Sequence, residues 1–520
     1  MTHPGLPDIW VYIIVSFMLI LSLAVILRFN FSDFKLIKKS SVTLAKLWLI
    51  GAAIQYLTKS RWPLFILKLI TVAFFLLVIY AGLMGTPVPE RNIATVLTWN
   101  IWWAGLIISI FFLGSAWCAI CPWDALATWH VKPRLWFNNW RLNNSLELTP
   151  PRWMRSVWPA LIMFAGLTWL ELGYGVTTSP YATALLSLVM VVLAIISLAL
   201  YKNKAFCHYI CPVGRTIGFY SQLAPVELRP LNKQICVDCK TLECFSGSET
   251  VDACPTKLVM GRLTQNTYCT SCGNCVQSCP SDNVAWRLRA PSQEAIESAR
   301  PHWDEAWFML VMLALTSFHG VTMMEFWEQG LRSFAQKIGD SGQLLVSFSS
   351  GLILSVLVPV AIYALVIELT RRLSKSQLSY KKIFSSLVFA TLPLAFAYHL
   401  AHNLNHMIRE SVGASQLLLN PLGTNVSYSG VADELFIKNS MLLSENTIFS
   451  LQALLMMFGF WVAIKVLQHR SKVLFADSKT VVTMMPVLLF VFAVNSFHLW
   501  MLMQPMVMRI GALCVVPSIL

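Results

Sequence analysis

Ten stretches of about 20 largely apolar residues, each long enough to cross a bilayer, run through this chain and leave little room for any other architecture. They fall near Ile9 to Leu27, Pro63 to Gly85, Val96 to Leu113, Val157 to Gly173 and Ala182 to Tyr201, then Ala306 to Phe326, Leu344 to Leu369, Phe384 to Met407, Ile448 to Leu467 and Val481 to Met503. With 56% hydrophobic and only 12% charged residues, the composition agrees with such a bundle. The expected class is mainly α, a polytopic helical membrane protein of about ten transmembrane helices. Three parts are expected: residues 1–202 as a five-helix membrane domain, 203–290 as a cysteine-rich segment and 291–520 as a second five-helix membrane domain. The first apolar run reads as a span, because no small-residue cleavage site follows it.

Lysine and arginine in short loops orient such a bundle. Arg28, Lys35, Lys38, Lys39 and Lys46 follow the first span, Lys132, Arg134, Arg141, Arg152 and Arg155 the third, and Lys202, Lys204 and Arg215 the fifth. Arg371, Arg372, Lys375, Lys381 and Lys382 follow the seventh, and Lys465, Arg470, Lys472 and Lys479 the ninth. Every odd span thus exits into the cytoplasm, which makes both termini periplasmic and the middle segment cytoplasmic in a bacterial inner membrane. These loops account for most of the net charge of +14, so no nucleic acid is needed to explain it. The basic face suits anionic membrane lipid.

The middle segment holds Cys269-Thr-Ser-Cys272-Gly-Asn-Cys275-Val-Gln-Ser-Cys279-Pro280, preceded by Cys236, Cys239, Cys244 and Cys254-Pro255. The C-x2-C-x2-C-x3-C-P spacing is that of bacterial ferredoxins, in which three close thiolates hold one cluster and the fourth reaches another. That crossover assigns Cys236, Cys239, Cys244 and Cys279 to one 4Fe-4S cluster, and Cys269, Cys272, Cys275 and Cys254 to the second. Thr241 to Ala253 must then contain an inserted loop. Zinc also uses C-x2-C pairs, but the compact run is not a zinc-ribbon spacing. Disulfides do not suit so clustered a set in a reducing compartment.

Two further pairs sit at the inner ends of spans, in Trp117-Cys118-Ala-Ile-Cys121-Pro122 and Phe206-Cys207-His-Tyr-Ile-Cys211-Pro212-Val-Gly-Arg215. One reading of Cys118, Cys121, Cys207 and Cys211 is a thiolate metal site or dithiol relay between bilayer and clusters. The other is that each Cys-Pro unit is a rigid corner with inert, packed sulfurs. Lone Cys514 is read as inert.

These corners, followed by a two-cluster segment and preceded by Arg91-Asn-Ile-Ala-Thr-Val-Leu-Thr-Trp99-Asn-Ile-Trp102-Trp103, resemble the membrane polyferredoxins of the NapH/NosR type. The resemblance covers roughly Pro63 to Arg289. It implies an electron-transfer subunit or accessory factor serving a periplasmic reductase or metal centre. The extracytoplasmic flavin domain of NosR-type proteins is not expected here.

The second half carries histidines inside its spans. His399, His402 and His406, spaced three and four apart, project from one helix face. His319 and His498 fall at a matching depth on two other spans, roughly 20 to 26 Å from the cytoplasmic end at about 1.5 Å per residue. Ionisable side chains within a membrane are costly and mark pathways or sites. Three readings stay open: a b-type haem on two of His319, His399 and His498; copper at His402 or His406 with methionines such as Met324 and Met501; or contact with a quinone. Interhelical hydrogen bonding and core packing are the plain alternative.

The expectation is a membrane-bound iron-sulfur electron-transfer protein linking two cytoplasmic clusters to a haem, metal or quinone site in the outer half of the membrane, with a quinone or redox protein as partner. One alternative is an accessory factor that reduces or delivers copper, or matures a periplasmic reductase. Another is a membrane redox sensor.

Overall fold

The structure, a computed structural model, describes residues 2–31, 42–46, 51–132, 143–424, 434–475 and 480–507. Lys35, Lys38, Lys39, Arg134, Arg141, Lys479 and Cys514 lie outside the described residues. The fold is mainly helical, at 71%. Among the described residues, eight helices are long and apolar enough to cross a membrane. They are α1 (Asp8–Ile26), α2 (Arg61–Met84), α3 (Ile93–Leu113), α5 (Pro180–Leu200), α7 (Leu345–Ser374), α8 (Tyr380–Glu410), α9 (Glu445–Phe475) and α10 (Val481–Met503).

The two other expected spans take different forms. Between α3 and α5, α4 (Trp158–Leu172) is a helix of only 15 residues. Between α5 and α7, α6 (Trp303–Val321) is followed, after a 93° bend, by the helix Glu325–Ile338. That second helix carries Glu325, Glu328 and Arg332 on its exposed side, a polarity that suits a helix lying across the bundle end. If the bent pair is one span, the count becomes nine.

Local chemistry fixes the joints. Asn92 caps α3 by accepting from the Ala94 N–H at 2.9 Å, and its amide donates to the carbonyls of Ala81 and Thr86, each at 2.9 Å. Ser179 caps α5 ahead of Pro180 at the first helical position. Gly82 lets α2 approach α5: a Cβ there would stand 2.5 Å from the Pro180 carbonyl oxygen. Gly459 does the same for α9 against α8, where a Cβ would meet that of Ala397 at 2.4 Å.

α8 occupies the middle of the bundle, its apolar window buried along its whole length between α3, α6, α9 and α10. At one end of the molecule two short strands pair antiparallel, β1 (Thr2–His3) with β5 (Met506–Val507), in the register His3 to Met506. At the other end β3 (Val226–Pro230) and β4 (Val284–Leu288) form an antiparallel pair flanked on the far side of β4 by β2 (Val42–Thr43), in the order β2-β4-β3. α9 measures the separation. Its Glu445 pairs with Arg409 at 3.0 Å near the first end, and Arg470 donates to the carbonyls of Ala295 and Ala299 near the second. Twenty-five residues of helix separate the two, roughly 37 Å at about 1.5 Å per residue.

Beneath the three-stranded sheet, Arg229 and Arg289 both pair with Glu294, and Arg287 and Arg289 pair with Glu227 at 2.6 and 3.3 Å. All five side chains are largely withdrawn from solvent, and each has an oppositely charged partner within the network.

Candidate iron-sulfur site

The segment between β3 and β4 gathers eight cysteines in two groups of four. Cys236 lies on the helix Lys233–Asp238 and Cys239 at its end; Cys244 lies in the next turn, Glu243–Ser246. Asn283 ties Cys279 to this group: its backbone N–H donates to Cys279 Sγ and its Nδ2 to Cys236 Sγ, both at 3.3 Å. Burial raises the Cys244 thiol above its ordinary range, and the nearby charges of Cys236, Cys239 and Cys279 push the same way. Gly261 leaves room against Cys236, whose Cβ would stand 2.6 Å from a Cβ at that glycine.

The second group is Cys269, Cys272, Cys275 and Cys254. Burial, followed by its neighbours Cys272, Cys269 and Cys254 and by Cys244 of the first group, raises the Cys275 thiol well above its usual range. Cys269 is pushed up to about 11 by burial. The Leu258 N–H donates to Cys254 Sγ at 3.2 Å. The inserted stretch folds back on itself, with Gly247 at φ 81° and the Cys254 N–H donating to the Phe245 carbonyl at 3.2 Å, which returns Cys254 to the group. None of the described cysteines is in a disulfide. Free sulfurs in fours, each group receiving N–H donors, form a donor set that suits 4Fe-4S ligation.

The corner cysteines come to the same place. Cys121 and Cys211 each sit at the N-cap of a helix that begins with proline, Pro122–Val131 and Pro212–Tyr220. Their sulfurs therefore face backbone donors. Burial pushes the Cys121 thiol up to about 12 against the opposing Asp124 N–H, and the Cys211 thiol up to about 11 against the Gly214 N–H, which donates at 3.2 Å. Cys207 lies in a π-helical turn, Phe206–Ile210. A cavity of about 40 Å³ is lined by Cys118, Cys121, Cys207 and Cys211 together with Cys269 and Cys272. Lys68, Lys204, Asp124 and Arg215 complete its wall. Arg215 fastens corner to cluster segment, donating to the Thr267 carbonyl at 3.0 Å and the Cys207 carbonyl at 3.2 Å. A second cavity of about 300 Å³ adjoins Cys121 and is almost wholly apolar, walled by Phe74, Ile101, Trp102, Trp117 and Trp123.

The histidines divide into three groups. His319 and His402 meet edge to face with ring centroids 5.2 Å apart, and His402 and His406 follow at 4.4 Å. His399 points instead to Tyr220, whose hydroxyl lies 3.3 Å from its Nδ1, and to the ring of Trp103. His498 bonds Ser317 at 2.8 Å and stacks on Tyr398. His319 and His399 share one cavity of about 100 Å³ with Trp99, Trp103 and Glu171. Met501 receives the Tyr398 hydroxyl at 3.7 Å, and Met324 is buried at the bend after α6. Thus His402 and His406 are adjacent, and His498 stands apart from them. Reading the sequence alone missed His3 and Glu410, which meet His406, and Glu171, which lies 4.0 Å from His319. The carboxylate of Glu410, four residues after His406 on the same helix face, was the available signal.

Residues 95–134 and 183–224 match the model of a 4Fe-4S binding domain family. The two matched stretches carry the corner cysteines, Cys118 with Cys121 and Cys207 with Cys211, while the eight cysteines between β3 and β4 lie beyond them. Over 108 residues, 20% of its length, the chain is 30% identical to "Putative electron transport protein YccM" of Escherichia coli (strain K12). It spans only 28% of that protein's length. Over 229 residues, 44% of its length, it is 25% identical to "Uncharacterized protein MJ0749" of Methanocaldococcus jannaschii, 84% of which is covered. No solved structure matches the chain significantly. The family match supports iron-sulfur binding.

Proposed function

We propose that the chain passes electrons between a cytoplasmic redox partner and a quinone in the bilayer, as a relative of the NapH/NosR-type polyferredoxins. The observation that carries this reading is the shared cavity where Cys269 and Cys272 meet the four corner sulfurs. Cys236, Cys239, Cys244 and Cys279 would hold one 4Fe-4S cluster, and Cys269, Cys272, Cys275 and Cys254 the other. When bound, such clusters supply one-electron oxidation and reduction. Cys118, Cys121, Cys207 and Cys211 form the relay or thiolate site between them and the bilayer. The Lys204 and Arg215 cations on this wall oppose, without overcoming, the burial that keeps these thiols protonated.

The apolar cavity beside Cys121 supports a quinone as the membrane partner. Its volume of about 300 Å³ reaches the range of small-molecule sites, and its tryptophans suit a flat ring. The space of about 100 Å³ at His319 and His399 falls below that range, so the quinone is assigned to the cavity beside Cys121. In this reading the bundle crosses a bacterial inner membrane ten times, α4 and the bent α6 included. The clusters face the cytoplasm and both termini the periplasm, in keeping with the basic loops.

The test uses dithionite-reduced protein mixed with a short-chain quinone, following reoxidation of the clusters by stopped flow. Ile101→Trp fills the apolar cavity. Reoxidation at least about tenfold slower with unchanged iron content supports the reading, in line with the loss of a built binding site. An unchanged rate sinks the quinone assignment.

A further inference from the structure

The end of the bundle opposite the clusters holds a cluster of metal-type donors that electron transfer does not use. His3 Nε2 lies 3.1 Å from His406 Nδ1 and 3.1 Å from Glu410 Oε1, and His406 Nδ1 lies 2.6 Å from the same oxygen. All three residues are buried, at 1%, 8% and 5% exposure. Two ring nitrogens and one carboxylate oxygen therefore point at a single spot inside the protein. If both nitrogens donate to the oxygen, two N–H groups crowd within 3.1 Å of each other. If either does not, its lone pair faces the carboxylate oxygen. A cation at the centre satisfies all three at once.

We propose that His3, His406 and Glu410 bind one divalent transition-metal ion of the zinc or copper class. Two imidazoles with one carboxylate are a known zinc donor set that leaves a fourth position open. For bonds of about 2.0 to 2.1 Å, tetrahedral ligand atoms stand about 3.3 Å apart. The two 3.1 Å separations are within a few tenths of an ångström of that, and the 2.6 Å contact must widen by about 0.7 Å. A cavity of about 40 Å³ beside the cluster, lined also by His319, Met323 and His402, gives the fourth position somewhere to open.

The fold delivers the ligands from distant parts of the chain. His406 and Glu410, one helical turn apart, share a face of α8. His3 arrives on β1, whose partner β5 is in turn held by the Val507 N–H donating to the Met323 carbonyl at 2.8 Å. The Leu6 N–H donates to the Leu502 carbonyl at 2.7 Å, and Gly5 passes so near Met503 that a Cβ would stand 1.8 Å from its carbonyl oxygen. The approach of the N-terminal strand is thus fixed by backbone contacts that do not involve the histidine itself. A bound ion would clip that strand onto the end of α8.

The experiment takes full-length protein in detergent, removes adventitious metal with a chelator, and titrates zinc ions while following their environment by X-ray absorption. The expected result is one zinc per chain in a shell of nitrogen and oxygen at about 2.0 to 2.1 Å. Changes outside a ligand shell already weaken binding 10- to 100-fold, so His3→Ala and Glu410→Gln should each weaken it at least about 100-fold, with cluster iron unchanged. His3→Ala leaves α8 intact, which guards against a folding defect in the other variant. A sulfur shell, no binding, or equal affinity in His3→Ala would each overturn the proposal.

Discussion

The guanidinium of Arg215 lies 4.5 Å over the ring of Tyr268, on the residue that precedes Cys269, while its nitrogens bond the carbonyls of Thr267 and Cys207. One buried side chain thus holds the second Cys-Pro corner against the cluster segment. Removing it leaves two carbonyls without their donor. Arg215→Leu should destabilise the protein by about 2 to 6 kcal/mol, at about 1 to 3 kcal/mol per unsatisfied buried group. Thermal unfolding in detergent measures it, and a change in midpoint within error of wild type would count against this role.

Asn283 donates its Nδ2 to Cys236 Sγ at 3.3 Å. A donor to a ligand sulfur stabilises the reduced, more negative state. Asn283→Ala should therefore lower the midpoint potential of one cluster by on the order of 40 mV, the one-electron equivalent of about 1 kcal/mol. A redox titration followed by electron paramagnetic resonance reads this. Equal shifts in both clusters, or none, would refute the pairing of Asn283 with a single cluster.

Gly459 allows α9 to lie directly on α8 at Ala397 and Pro393. Gly459→Val inserts a branched side chain where even a Cβ meets the Pro393 carbonyl oxygen at 3.0 Å. Overpacking of this kind costs about 1 to 3 kcal/mol. Detergent stability should fall while Gly330→Val, at a position with open space around it, leaves it near wild type.

His208 stacks on Tyr209 and meets Tyr268 edge to face. Burial and the neighbouring Arg215 cation hold its imidazole down to about 3. The folded protein therefore keeps this ring neutral, whereas the unfolded chain takes up a proton near pH 6.5. Its contribution is complete above about pH 6.5 and is lost as pH falls towards 3. His208→Phe should lose less thermal stability than wild type between pH 7 and pH 5. An equal loss in both proteins would show that other groups govern the acid limb.

Much of this architecture is legible without coordinates, because a bilayer demands about 20 apolar residues per crossing and the chain supplies them in separable blocks. The exceptions are physical. α4 stops at Leu172 before Gly173, and α6 turns through 93° after Val321, where the apolar pattern continues to Phe326 but the helix axis does not. The cysteine spacing fixes which sulfurs can gather, yet it is silent on the corner pairs, whose convergence depends on how α3 and α5 pack. His3 and Glu410 were invisible for a different reason: 407 positions separate them, and no local period connects a two-residue strand to the end of a central helix. Depth along a helix placed His319, His399 and His498 at one level, but not their azimuth, which sends His498 towards Ser317 and His399 towards Tyr220.

The burial of α8 bears on how such a chain is assembled. α8 has, over its 18-residue apolar stretch, a mean hydropathy of 1.6, the lowest such value among the eight long helices. It carries His399, His402, Asn403, Asn405, His406, Arg409 and Glu410, all buried by neighbours. A charged residue at the centre of an inserting helix costs about 2.5 to 3.5 kcal/mol, and even near an end these groups find poor company in lipid. Two of the helices that shelter them, α9 and α10, leave the ribosome later. If α8 spans a bilayer, it has to wait beside the insertion machinery or shelter against α3 and α6 until those latecomers arrive, which makes biogenesis of such a bundle a matter of timing as much as of hydrophobicity.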